Sequence, residues 1–85
     1  MDLQTLFQEA VAASKMLASK PDNDTLLKLY ALYKQATEGD NTNSGPSNAF
    51  DFVAKFKHDA WEKLKGLSKE GAMQQYVELV QSLKS

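Results

Sequence analysis

Apolar residues recur at steps of three and four along four stretches of this chain, and nowhere do they alternate with polar residues for the length of a strand. That periodicity restricts the fold to packed helices. The first stretch, about Leu3 to Ala18, carries Leu3, Leu6, Phe7, Ala10, Val11, Ser14 and Leu17, with Asp2 placed as an N-cap. "SKPDND" interrupts it, because Pro21 cannot continue a hydrogen-bond ladder and Asp22 or Asn23 can cap the next start.

The second helix is expected from about Asn23 to Thr37, closed by Gly39. "GDNTNSGPSN", Gly39 to Asn48, is dense in turn formers, and its length permits a crossover rather than a tight hairpin. A third helix, about Ala49 to Leu64, bears the stripe Phe52, Val53, Phe56, Ala60, Trp61 and Leu64 and stops before Gly66. In the fourth, Ser68 is the cap and Ala72, Met73, Tyr76, Val77, Val80 and Leu83 form the stripe. There is no internal repeat. The fold class is therefore all-α, a small four-helix bundle in which each helix hides its stripe against the others.

At 85 residues the chain suits one domain, 1–85, and leaves no room for a long catalytic scaffold. Eleven acidic residues face ten basic ones, and every basic residue is a lysine. A net charge of −1 argues against a nucleic-acid binder, which needs a basic field and usually arginine forks, but leaves room for a local phosphate site. Without cysteine there is no disulfide, thiolate nucleophile or cysteine-held metal, and the single histidine, His58, cannot build a multi-histidine site. No apolar run approaches the roughly 20 residues of a bilayer span. The start "MDLQTLFQEA" lacks the basic and apolar regions of a secretory signal, so the mature chain is expected to begin at or near Met1.

The second helix has more apolar face than one core requires. At about 100° per residue, Leu29, Leu32 and Ala36 share one sector, while Leu26, Leu27, Tyr30 and Lys34 extend the arc well beyond it. Part of this helix should pack inward while the neighbouring part lines something else. A solvated rim, with lysine methylenes laid over tyrosine rings, would account for Tyr30, Tyr33 and Lys34 structurally. An amphiphilic ligand would account for them chemically: rings stack a heterocycle, phenols and ammonium hold phosphate, leucines cover an alkyl group. Lys57, one residue beyond Phe56 and four before Trp61, could add a second cation to that groove.

With "LYALYKQATEGD", "KHDAWEKLKG" and "SKEGAMQQYVELV", joined upstream by "NDTLLKLY", the chain resembles the acyl-CoA-binding protein family over nearly its full length. The resemblance implies a four-helix fold that binds fatty acyl thioesters of coenzyme A without changing them. It implies that Tyr30, Lys34 and Lys57 hold the adenosine 3′-phosphate and that Tyr33 helps bind the nucleotide head. Lys15 and Lys20 match basic positions near the ligand's polar portion, and Leu26, Leu27 and Tyr76 match positions on the acyl path. The chain departs from the family at Gly45, where an arginine commonly precedes the proline matched by Pro46, at Val53, where a lysine is common, and at His58, where a tryptophan is common. One residue is also inserted between Pro46 and Asp51. These departures bear on affinity and ligand pose. His58 reads as a surface or rim residue, and Trp61, Met73 and Val77 read as packing residues.

The leading expectation is non-catalytic binding, sequestration and intracellular transport of medium- to long-chain acyl-CoA. The protein is expected to be a cytoplasmic monomer without cofactor, metal, nucleic-acid partner or stable membrane insertion, meeting acyl-CoA-using enzymes transiently. The alternative is a protein-interaction module receiving an amphipathic peptide on the tyrosine–leucine shelf. A nucleotide headgroup requires the lysines to converge, whereas a peptide requires a longer apolar groove. Enzyme chemistry lacks support, since Glu9, Asp40 and Glu70 are isolated acids and no activated nucleophile is identifiable.

Overall fold

The computed structural model describes residues 2–42 and 51–84 and contains four helices, α1 Leu3–Ser14, α2 Asn23–Glu38, α3 Phe52–Glu62 and α4 Lys69–Lys84. Most of the loop expected over Gly39 to Asn48, with Gly45, Pro46 and the start expected for the third helix at Ala49, lies outside the described residues.

Each helix begins at a side-chain cap. Asp2 accepts from the Thr5 amide at 2.8 Å, Asp22 from Thr25 at 2.8 Å and Asp51 from Ala54 at 3.0 Å. Ser68 Oγ accepts from the Gly71 amide at 2.9 Å. These contacts satisfy amides that a helix's first turn leaves unpaired.

The first helix ends four residues earlier than its apolar pattern suggests. Ser14 Oγ donates back to the Val11 carbonyl at 2.7 Å, and Met16 N–H turns to the Ala13 carbonyl at 2.9 Å, so the ladder tightens and stops. The third helix likewise closes at Glu62 rather than Leu64. Its chain passes through tight turns, Leu64 N–H to Trp61 O and Leu67 N–H to Leu64 O, around Gly66 at φ 95°.

Three helix pairs approach closely, α4 with α1, α4 with α2, and α2 with α3. The core sits on the first two contacts, where Phe7, Ala10, Leu29, Leu32, Ala36, Ala72, Tyr76, Val77 and Val80 are buried together. Met73 packs against this cluster, as expected. Fully burying a leucine such as Leu32 stabilises by about 1.5–3 kcal/mol.

Among the described helices α3 packs on α2 alone and is left half clothed, which corrects the expectation that every stripe is hidden. Phe52, Val53 and Phe56 are 61%, 63% and 54% exposed, and within α3 only Trp61 is buried. Among the described residues no helix other than α2 approaches α3 closely. Lys57 lies by Tyr30 and Trp61 by Lys34, so residue numbers rise together along α2 and α3 and the two helices run in the same general direction.

Candidate ligand-binding site

The apolar arc of α2 divides as its helical wheel requires. Leu29, Leu32 and Ala36 enter the core, and Leu26, Leu27 and Tyr30 turn towards α3. There they meet Val53, Phe56 and Lys57 across an open groove of about 530 Å³, with Asn23 and Asp24 at the N-terminal end of α2. The middle of the groove is aliphatic and aromatic, and its Tyr30 end is cationic.

At that end the Lys57 ammonium lies 5.2 Å from the Tyr30 ring centroid and the Lys34 ammonium 6.0 Å from it. Lys34 also lies 5.4 Å from the centre of the Trp61 ring. Tyr30 and Lys34 are one turn apart on α2, and Lys57 and Trp61 one turn apart on α3, so two parallel helices bring both pairs to one place. Cations over aromatic faces gain electrostatic attraction while keeping their N–H donors available.

The two cations differ. Lys34 donates to Glu38 Oε2 at 2.6 Å, and the hydrogen bond and charge of Glu38 hold the ammonium's pKa above its ordinary value of 10.5. Lys57 makes no ion pair among the described residues.

A second set of contacts fixes the end of α2 beneath these groups. Trp61 is 5% exposed and donates its indole N–H to the Gly39 carbonyl at 2.9 Å, as befits a packing anchor. Asp40 Oδ1 accepts from the Gly66 amide at 2.9 Å and from Gln35 Nε2 at 2.8 Å; Gln35 Nε2 also donates to the Leu67 carbonyl at 2.7 Å. The Gly66 amide, then Gln35 and the charge of Lys65, hold the Asp40 carboxyl below the usual carboxylate range. Asp40 is thus engaged as a clasp between α2 and the turn after α3.

Other residues singled out in the sequence lie apart from the groove. Tyr33 is 41% exposed on the neighbouring face, its ring stacked on Phe7 at 6.0 Å. Tyr76 is buried, edge-on to Phe7 at 5.2 Å, with its hydroxyl donating to Ser14 Oγ at 3.1 Å. That geometry gives its ring and phenol to the core rather than to the lining around Leu26 and Leu27. Lys15 caps the C-terminal end of α1 and Lys20 lies in the following loop, both exposed and neither lining the groove. His58 is half-buried, 3.6 Å from Asp59, and is not part of the lining.

Phe56 and Val53, expected in the apolar stripe of the third helix, line the groove, as do Asn23 and Asp24, which the sequence does not mark as lining. Phe56 and Val53 sit in a helical stripe, which by itself does not distinguish a core wall from a groove wall. The partnership of Glu38 with Lys34 was available from their four-residue spacing.

A small helical bundle with an open groove, apolar along its length and cationic at one end, is the class of protein defined by this fold and site. Residues 4–80 match the family model described as "Acyl CoA binding protein". The chain is 51% identical over 77 residues to Acyl-CoA-binding protein homolog 1 of Caenorhabditis elegans, a match covering 91% of this chain and 88% of that one. It is 53% identical over 79 residues to Enoyl-CoA delta isomerase 2 of Rattus norvegicus, covering 93% of this chain and only 20% of that protein. The crystal structure of Oryza sativa Acyl-CoA-Binding Protein 2 superposes with a TM-score of 0.90 at 40% identity, covering 96% of this chain and 90% of that one. The chain belongs to the acyl-CoA-binding protein family.

Proposed function

We propose that this protein reversibly binds medium- to long-chain acyl-CoA thioesters, holding and carrying them in the cytoplasm without making or breaking a bond. One observation carries the reading: the ammonium groups of Lys34 and Lys57 lie 6.0 Å and 5.2 Å from the ring centre of the same tyrosine, Tyr30, at the end of an apolar groove. The convergence of these lysines suits a phosphorylated headgroup and favours it over a peptide. In this reading Lys34, Lys57 and the Tyr30 phenol take the 3′-phosphate through charge-assisted hydrogen bonds. Tyr33 flanks the nucleotide head, and Lys15 and Lys20 supply positive charge near the polar portion of the ligand.

Leu26 and Leu27, joined by Val53 and Phe56, cover the acyl chain. Tyr76, assigned to the acyl path by family resemblance, acts from behind by backing Phe7 and thereby Tyr33. Residues 1–85 function as one binding unit. Among the described residues no helix is long and apolar enough to cross a membrane.

Calorimetric titration with coenzyme A, dephospho-coenzyme A and a series of acyl-CoA esters tests the proposal. Coenzyme A should bind more tightly than its dephospho form, and affinity should rise with acyl length until the chain outgrows the groove. Equal affinities for the two headgroups would remove the phosphate assignment. Tight binding of free fatty acids with no response to coenzyme A would make the protein a general lipid carrier.

A further inference from the structure

Lys34 is paired with a carboxylate and Lys57, among the described residues, is not, a contrast that bears on ligand release and rests on the phosphate reading above. Glu38 lies one turn beyond Lys34, and its carboxylate holds the ammonium at 2.6 Å while that ammonium faces the rings of Tyr30 and Trp61. An incoming phosphate needs the same N–H donors and brings negative charge towards the carboxylate. Glu38 is also the last residue of α2, whose final turn contains no basic residue. An acid there opposes the helix dipole, so its position is poor for helix stability. Its side chain is half exposed, which keeps the carboxylate hydrated and able to swing away.

We propose that Glu38 is a specificity-determining residue that competes with the ligand's 3′-phosphate for Lys34. In the free protein it positions the ammonium beside Tyr30 and Trp61. In the complex it yields the ammonium, and the lost pairing limits headgroup affinity and speeds release. Lys57, with no carboxylate partner among the described residues, binds phosphate without that exchange.

Titrating coenzyme A and dephospho-coenzyme A against the parent, Glu38→Gln, Lys34→Ala and the double variant tests this. Glu38→Gln should bind coenzyme A about two- to fivefold more tightly, the range expected for release of an exposed ion pair. Its affinity for dephospho-coenzyme A should not change, Glu38→Asp should move the preference back towards the parent, and the gain should shrink in the Lys34→Ala background. An equal gain for both ligands, a gain undiminished without Lys34, or no gain overturns the proposal. A parent that prefers coenzyme A while Glu38→Gln leaves that preference unchanged overturns only the role of Glu38. A parent with no preference overturns it together with the phosphate reading.

Discussion

The indole N–H of Trp61 donates to the carbonyl of Gly39 at 2.9 Å, tying the end of α3 to the residue that ends α2. Gly39 holds φ 83°, a conformation glycine adopts without strain and other residues rarely do. The bond therefore sets where α3 lies on α2, and with it the distance from Lys57 to Tyr30.

Trp61→Phe keeps most of the ring and deletes the donor. Leaving a shielded carbonyl unpaired costs about 1–3 kcal/mol, and in a domain of this size each kcal/mol lowers the melting temperature by roughly 4–8 °C. Thermal unfolding followed by circular dichroism should register a drop in that range. An unchanged midpoint would mean that the indole bond does not anchor α3.

Lys57→Ala and Lys34→Ala should both weaken coenzyme A binding with little change in helicity, since neither ammonium is buried in the core. A hydrogen bond to a charged group contributes about 1.5–3 kcal/mol, so each loss should be tenfold or more. Lys57→Ala should be the more damaging, because removing Lys34 also removes its pairing with Glu38. Tyr30→Phe keeps the ring and should cost less than either.

Helix number, the caps of α1, α2 and α4 and the divided face of α2 were legible in the sequence because each follows from local rules: spacing of apolar residues, an aspartate or serine before a helix, proline and glycine at breaks. Asp51, the cap of α3, was not, since the apolar stripe was expected to start the helix at about Ala49. Leu26, Leu27, Tyr30, Lys34 and Lys57 came from excess apolar face and family resemblance, and the lining includes four of them, with Lys34 just beyond. Tertiary arrangement decided the rest. Nothing in the period of α3 says that α2 is the one described helix it packs on, so Phe52, Val53 and Phe56 read as core. Ser14 and Tyr76 are 62 positions apart, and their hydrogen bond, which helps place Tyr76 in the core, is invisible to local pattern.

Tyr76→Phe separates the core role from the acyl role. Loss of the bond to Ser14 should destabilise by about 0.5–1.5 kcal/mol in urea unfolding while leaving acyl-CoA affinity within about twofold. A large fall in affinity for long-chain esters, with none for free coenzyme A, would return Tyr76 to the acyl path.

For the acyl half, Phe56→Ala is informative because the side chain is 54% exposed and its loss should disturb the core little. Burial of one methylene is worth about 0.8 kcal/mol before ordering costs, so the slope of affinity against chain length measures contact with the groove. Phe56→Ala and Leu27→Ala should flatten that slope and spare free coenzyme A. Slopes equal to the parent's would remove both residues from the acyl wall.

Asp40 gives the stability of the fold a pH dependence of defined sign. The Gly66 amide, the Gln35 amide and Lys65 favour its charged form, so its folded-state pKa lies below the ordinary value of 3.8. The folded protein then binds this proton less readily than the unfolded chain, and stability gained from the clasp is complete above 3.8 and declines as pH falls through the folded-state value. Asp2 and Asp22, held low by Thr5 and Thr25 at their helix starts, act in the same direction, so the parent's acid transition alone does not isolate Asp40. Asp40→Asn isolates it: the variant should be less stable than the parent at neutral pH, and the gap should close as both are acidified below 3.8. Urea midpoints measured across that range give the difference directly. A gap that stays constant with pH would show that the asparagine disturbs the turn sterically and that the charge of Asp40 contributes nothing to the clasp.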